Sequence, residues 1–275
     1  MYKIFGFYKF KKIKNIKLLK KNLKNFIEEE QVRGTIIISI EGINGTISFK
    51  PTKYKKVKNK ILNLLNIRKL DNENISYYKY QAFKKGKIKI KKEVVPIGMK
   101  LNKIVAKNKI EPKDWNKFIL KKETVLIDTR KNFEFKVGTF KGSINPELNN
   151  FRDFPRYFKT LKKNQNIGMF CTGGIRCEKA SAYLKKKGFK NVYQLKGGII
   201  NYLDNVKKKD SLWSGDCFVF DNRVSIKHGL KPGNLKICPG CRNPIKLSER
   251  KSNFYEQGVS LSLIHISEPT RQDRI

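Results

Sequence analysis

From Tyr2 to Phe10 apolar and polar residues alternate, the period of a half-buried strand. The apolar residues that follow, Ile16, Leu18, Leu19, Leu23 and Phe26, fall at helical spacing and predict a helix over 15–30. Thr35–Ile40 and Thr46–Phe49 read as strands around Glu41–Gly45. There the Asn44-Gly45 pair predicts the hairpin turn, because both residue types tolerate positive φ. Val57, Ile61, Leu62, Leu64 and Leu65 mark a second helix over 53–67, and Ile75–Tyr80 and Lys87–Val95 two more short strands. The order β-α-β-β-α-β over residues 1–97 predicts a ferredoxin-like α+β sandwich.

Residues 98–112 read as a connector, and a second pattern follows over 113–208. A short helix near Trp115–Leu120 leads to a buried-type strand at Thr124–Asp128. A further strand ends at Gly168–Cys171, a helix spans Cys177–Lys187, and Asn191–Leu195 is another strand. Strands alternating with helices predict a parallel sheet, whose ligands sit beyond the carboxyl ends of the strands. Cys171 falls at such an end.

The stretch 171–176, CTGGIR, joins that strand to the start of a helix. A helix N-terminus gathers unpaired N–H groups and partial positive charge, and both favour a thiolate over a thiol. Gly173 and Gly174 let the backbone curl round the sulfur, and Arg176 brings a charged fork of donors. The loop is an anion cradle with a nucleophile at its centre. Cysteine phosphatases use Cys-x5-Arg; the shorter Cys-x4-Arg ring here suits a single terminal sulfur, as in a persulfide. Cys177, one residue past Arg176, either resolves an oxidised Cys171 through a disulfide or packs the helix onto the sheet as a small buried residue. Arg152 and Arg156, ahead of the loop, either contact phosphate or are solvated. The stretch 77–85, YYKYQAFKK, either stacks bases or is a strand with one buried aromatic face.

Composition adds a formal charge of +39 over 275 residues. That suits a polyanion such as RNA. With 51 Lys against 11 Arg, and Asn and Ile also plentiful, A+T-rich coding accounts for part of the excess. Charge therefore permits a nucleic-acid partner without establishing one. No apolar run is long enough for a membrane span, and the N-terminus lacks the apolar core of a signal peptide. Five cysteines in a chain this long argue against a disulfide framework and for a reduced, cytoplasmic protein.

Several segments in order resemble a rhodanese domain: the cysteine loop, Asp128-Thr129-Arg130 after a strand, Gly138–Asn145, and Val192–Ile199. A narrower set resembles one subgroup, the rhodanese-like tRNA uridine(34) hydroxylases. It comprises EGING at 41–45, FRDFP at 151–155, CTGGIRCEK at 171–179 and WSGDCFVFD at 213–221. The resemblance spans roughly residues 1–260. It implies a rhodanese-type parallel α/β domain after the ferredoxin-like one, with Asp128 and Arg130 bracing the active-site side of the sheet. It also implies oxygen-dependent conversion of the wobble uridine of tRNA, in the anticodon loop, to 5-hydroxyuridine, with a separate reductant. A plain sulfurtransferase built on Cys171, taking sulfur from thiosulfate or a protein persulfide, is the competing reading; a non-catalytic RNA-binding protein rests on charge alone.

The C-terminal extension, 209–260, carries Cys238-Pro-Gly-Cys241. Two thiolates at this spacing share a zinc only if two more ligands complete the site. In the resembled subgroup a second Cys-x2-Cys follows a Gly-Val-Ser; here Gly258-Val259-Ser260 is followed by Leu261. Lysine then vanishes from 252 to the end, and residues 262–275 look like translated sequencing adapter. The expectation is a chain truncated near Ser260, with a non-native tail at 261–275, and with Cys238 and Cys241 as half of a structural zinc site that only an untruncated chain would close.

Overall fold

The computed structural model describes residues 1–98, 108–240, 242–251, 255–256 and 260–261. The N-terminal domain runs β1 (Tyr2–Phe10), α1 (Ile16–Glu29), β2 (Arg33–Ser39), β3 (Gly42–Phe49), α2 (Tyr54–Leu65) and β4 (Asn72–Tyr78). A fifth strand, β5 (Gly86–Ile90), lies parallel to β2, giving a mixed sheet in the order β4-β1-β3-β2-β5. The expected β-α-β-β-α-β order is present. Asn15 caps α1 by accepting the Leu18 N–H at 2.9 Å. Leu19, Leu23, Phe26 and Ile27 of α1 and Val57, Ile61 and Leu65 of α2 bury against Phe5, Phe7, Ile36, Ile38, Ile43, Ile47 and Phe49 of the sheet.

The hairpin turn is displaced from the Asn44-Gly45 pair. Ser39 pairs with Gly42, so Ile40 and Glu41 form the turn and Asn44-Gly45 lies inside β3. Gly45 faces the core, where a β-carbon would come within 2.8 Å of the Phe7 ring. Close packing, not a turn, requires the glycine.

The second domain contains β6 (Lys109–Ile110), α3 (Pro112–Ile119), β7 (Thr124–Asp128), α4 (Asn132–Val137), β8 (Gly138–Phe140), α5 (Phe154–Tyr157), β9 (Asn166–Phe170), α6 (Ile175–Lys186), β10 (Val192–Leu195) and α7 (Gly198–Asn205). Strands β6, β10, β9 and β7 form a parallel sheet in that order. Ile144 adds a single parallel bridge to Ile127 beside β7. The expected connector over 98–112 is shorter than its sequence suggested. Lys109 and Ile110 already pair with β10, and Val95 and Ile97 pack in the core of the second domain with Ile127, Met169 and Ala180.

The C-terminal extension is part of this body. Strand β11 (Trp213–Gly215) pairs with β8, and Trp213, Cys217, Val219, Ile226 and Leu230 bury with Trp115, Phe140, Phe170 and Tyr202. It also reaches the N-terminal domain: Arg223 donates to Ser76 Oγ at 2.9 Å and the Asn222 N–H to the Ala82 carbonyl at 2.9 Å. Ser260 and Leu261 pair with Glu256 and Tyr255, and residues 262–275 of the expected tail lie outside the described residues. Among the described residues no helix is long and apolar enough to cross a membrane.

Candidate active site

Strand β9 ends at Phe170 and α6 begins at Ile175, so Cys171 sits between them at the carboxyl edge of the parallel sheet. Its side chain has no exposed surface. The Gly174 N–H donates to Sγ at 3.1 Å, and the N–H groups of Arg176 and Cys177 are also aimed at it. Gly174 takes φ +92°, which turns its amide into the loop. Burial alone would raise the Cys171 thiol. The hydrogen bond from Cys177, the Arg176 charge and the two helix-start amides outweigh it and hold Cys171 at about 6. It is therefore a thiolate at neutral pH.

A second turn supports the loop from behind. The N–H groups of Ile199 and Ile200, in the first turn of α7, donate to the Cys171 and Thr172 carbonyls at 2.9 and 3.1 Å. Gly198 makes that approach possible. At φ +69° it passes so close that a β-carbon would lie 2.4 Å from the Cys171 carbonyl oxygen and 2.6 Å from that of Thr172. Gly198→Ala is expected to cost about 2 kcal/mol from strain and overpacking. A lower urea midpoint together with slower iodoacetamide labelling of Cys171 would be the signature; wild-type values for both would refute it.

Arg176 holds a different post from the one its spacing suggested. Its fork is spent on Glu134, Nη1 to Oε2 at 2.7 Å and Nη2 to Oε1 at 2.9 Å, with Nη2 also donating to Thr172 Oγ1 at 3.2 Å. It acts on Cys171 through charge. Burial would raise the fully buried Glu134 carboxyl, but Arg176 and then Arg130 overcome that and keep it below the usual range. Sequence reasoning missed Glu134. Its signal was its place three residues after Lys131, where Oε2 accepts the Lys131 N–H at 3.1 Å at the start of α4.

Asp128 and Arg130 form a buried pair, Nε to Oδ1 at 2.9 Å and Nη2 to Oδ2 at 2.6 Å. Arg130 Nη2 also donates to the Gly138 carbonyl at 2.5 Å, tying the end of β7 to β8. Cys177 is fully buried in the second core and hydrogen-bonded to Cys171, so it packs the helix and stands beside the Cys171 sulfur at once. Burial and then the neighbouring Cys171 raise its pKa, so it is a neutral thiol donor.

The loop faces the N-terminal sheet across a cleft of about 630 Å³. The cleft contains Cys171, Gly173 and Arg176 on one side and Gly6, Tyr8, Asn44, Thr46, Asn72 and Asn74 on the other. Two polar clusters join the walls. Lys179 of α6, wholly buried, donates to Glu41 Oε1 at 2.9 Å, to Glu93 Oε2 and to the Val95 carbonyl at 2.8 Å. Tyr8 donates to Glu178 Oε1 at 2.9 Å, which also pairs with Lys109 at 2.7 Å. Asn72 Nδ2 donates to the Gly173 carbonyl at 3.2 Å.

Of the two arginines ahead of the loop, Arg152 lines the cleft and is exposed, whereas Arg156 is exposed and does not line it. The expected buried aromatic face over 77–85 is absent. Tyr77 and Tyr80 are exposed: Tyr77 shares the face of Ile75 but pairs with Lys3 beyond the core, and Tyr80 lies past the end of β4. Cys238 is buried beside the β-hairpin of Lys236–Ile237 and Pro244–Ile245, and Cys241 lies outside the described residues. Among the described residues no group of three or more His, Cys, Asp or Glu is placed to hold a metal ion.

Residues 2–94 match the family described as the UPF0176 acylphosphatase like domain, and residues 111–205 the rhodanese-like domain. A tRNA uridine(34) hydroxylase of Pelagibacter ubique is 56% identical over 266 residues, 96% of this chain and 88% of that protein. The chain belongs to the tRNA uridine(34) hydroxylase family. A second protein of that name, from Teredinibacter turnerae, is 39% identical over 264 residues, 94% of this chain and 82% of its own. Among solved structures, a rhodanese-related protein of Thermoplasma volcanium is 25% identical, covering 35% of this chain and 90% of that one, with a TM-score of 0.31. In this member of the hydroxylase family both matched domains supply walls to the cleft that holds Cys171.

Proposed function

We propose that this chain hydroxylates uridine 34 of tRNA, the wobble position in the anticodon loop, to 5-hydroxyuridine. Molecular oxygen is the co-substrate, and a separate reductant supplies two electrons as the second oxygen atom leaves as water. The observation that carries this is the 56% identity, over 96% of the chain, with a Pelagibacter ubique protein named tRNA uridine(34) hydroxylase. The site agrees in kind. Cys171 is the reacting thiolate, Gly173 and Gly174 shape its cradle, and Arg176 supplies the positive charge beside it. Asp128 and Arg130 brace the sheet edge, and Arg152 at the cleft is the phosphate contact of the two arginines. The net charge of +39 draws a polyanion. Free thiols at Cys171, Cys177 and Cys217 suit a reducing cytoplasm.

The test is to incubate tRNA bearing an unmodified wobble uridine with the protein in air and without oxygen, then digest and weigh the nucleosides. A one-oxygen gain at that uridine, present only in air, is expected. No gain with any supplied reductant, accompanied by release of thiocyanate from thiosulfate and cyanide, would replace the proposal with sulfurtransfer from a Cys171 persulfide.

A further inference from the structure

Strand register gives the N-terminal sheet two unlike faces. On one, Phe5 and Phe7 of β1 and Ile43, Gly45 and Ile47 of β3 pack beneath α1 and α2. On the other, Gly6 pairs with Thr46 on one side and Asn74 on the other, and Tyr8 pairs with Asn44 and Asn72 in the same way. Side chains of paired residues share a face. The face turned toward Cys171 is therefore a patch of amides and two hydroxyls, those of Thr46 and Tyr8, around a glycine.

The patch is not a uniform surface. Its upper end is closed by Tyr8, whose hydroxyl is bound to Glu178, and by Asn72, which is bound to the Gly173 carbonyl. Its lower end is closed where Ile4, Ser48 and Ser76 are buried and Arg223 of the C-terminal extension caps Ser76. Between them Gly6 leaves a shallow floor, with Thr46 and Asn74 as its sides: a β-carbon on Gly6 would still stand 3.8 Å from Thr46 Oγ1 and 3.9 Å from Asn74 Cβ. The Asn44 and Asn74 amides make no hydrogen bond to another described side chain or backbone group. Asn74 Nδ2 is also next to the cysteine loop, 3.4 Å from where a β-carbon on Gly173 would be.

We propose that this patch seats the target pyrimidine base. The ring lies over Gly6, and the Asn74 and Asn44 amides pair with its N3–H and carbonyl edge. A carboxamide carries a donor and an acceptor side by side, the complement of a uracil edge that offers N3–H next to a carbonyl oxygen. Guanine offers the same N–H beside a carbonyl oxygen but brings a second ring to a slot one glycine wide, and a phosphate offers no N–H donor. The seat lines the same cleft as Cys171, so a base held there shares the space onto which the cysteine loop faces. The inference rests on the hydroxylase reading for the identity of the base.

The experiment uses the full chain and two anticodon stem-loop RNAs, one with uridine and one with 3-methyluridine at position 34, which differ only in the N3–H. Equilibrium binding and hydroxylation are measured for wild type, Asn74→Ala, Asn44→Ala and the double variant. The wild type is expected to favour the unmethylated loop by ~10-fold or more in binding. The double variant is expected to bind both loops equally, at the level the wild type shows for the methylated one, while Cys171 keeps its iodoacetamide reactivity. Gly6→Val is expected to weaken both loops together by filling the floor. A double variant that discriminates as wild type does overturns the seat. Binding discrimination without any oxygen gain in the wild type keeps the seat and overturns the hydroxylase reading, so the two failures are separate.

Discussion

Cys171→Ser is expected to abolish conversion of the wobble uridine, a loss of ~10³-fold or more, because a serine hydroxyl stays protonated where the thiolate is ionised. The cradle is built for an anion, with the Gly174 N–H at 3.1 Å from Sγ and the Arg176 charge nearby. The same arrangement fixes the pH dependence. The Cys171 thiol is lowered to about 6, so its ionised fraction rises as pH increases through that value and saturates above it. Iodoacetamide labelling of Cys171 should therefore climb through pH 6 and level off by about pH 8. Cys177 and Cys217 should stay unlabelled over that range. Burial and then the adjacent Cys171 raise the first, and burial pushes the second up to about 12. A variant that keeps a tenth of wild-type activity, or a labelling rate that ignores pH across that range, would remove Cys171 from the centre of the chemistry.

Lys179→Met is expected to cost about 3 kcal/mol in folding stability, at the lower end of what breaking a buried ionic network costs. The wild-type ammonium has no exposed surface and is held by two carboxylates and a carbonyl from the other domain. Methionine preserves the chain length in the core but leaves Glu41 and Glu93 without their cation. Those carboxylates retain 21% and 17% exposure and recover some hydration, which places the cost at the lower end. Urea unfolding followed by fluorescence would measure it. Glu41→Gln and Glu93→Gln in the Met background should add little, because the shared partner is already gone. A midpoint equivalent to less than about 0.5 kcal/mol of change would mean that the network is not a clasp.

Much of this was legible in the sequence, for physical reasons that differ by element. The alternation at Tyr2–Phe10 and the apolar spacing of Leu19, Leu23 and Phe26 register directly in burial, so the first domain could be drawn from pattern alone. The cysteine cradle was legible because its donors are local, within six residues of the sulfur. The turn was not. Asn44-Gly45 carries strong hairpin chemistry, but Phe7 needed the space of a missing β-carbon across the sheet, and tertiary packing outranked local preference. Glu134 was missed because its meaning depends on Arg176, forty-two residues away. Lys179 and Glu41 both stood in segments that pointed to the family, yet nothing in a linear reading joins them across 138 residues. The exposed Tyr77 and Tyr80 show the opposite failure: aromatic composition suggested a buried face, but the core beneath β4 ends at Ile75, and Tyr77, two residues on along the same face, already pairs with Lys3.

The burial of Cys171 also limits what can meet it. Its sulfur has no surface of its own, and it lies in a cleft whose two walls are pinned together by Lys179, Tyr8 and Asn72. An intact duplex, with its bases stacked and paired inside, has no edge thin enough to enter such a space. A nucleotide that has already left its stack can be threaded in alone, and unstacking is least expensive in a loop. The depth of the sulfur thus works as a gauge of secondary structure in the substrate, rejecting stems by thickness before any base is read.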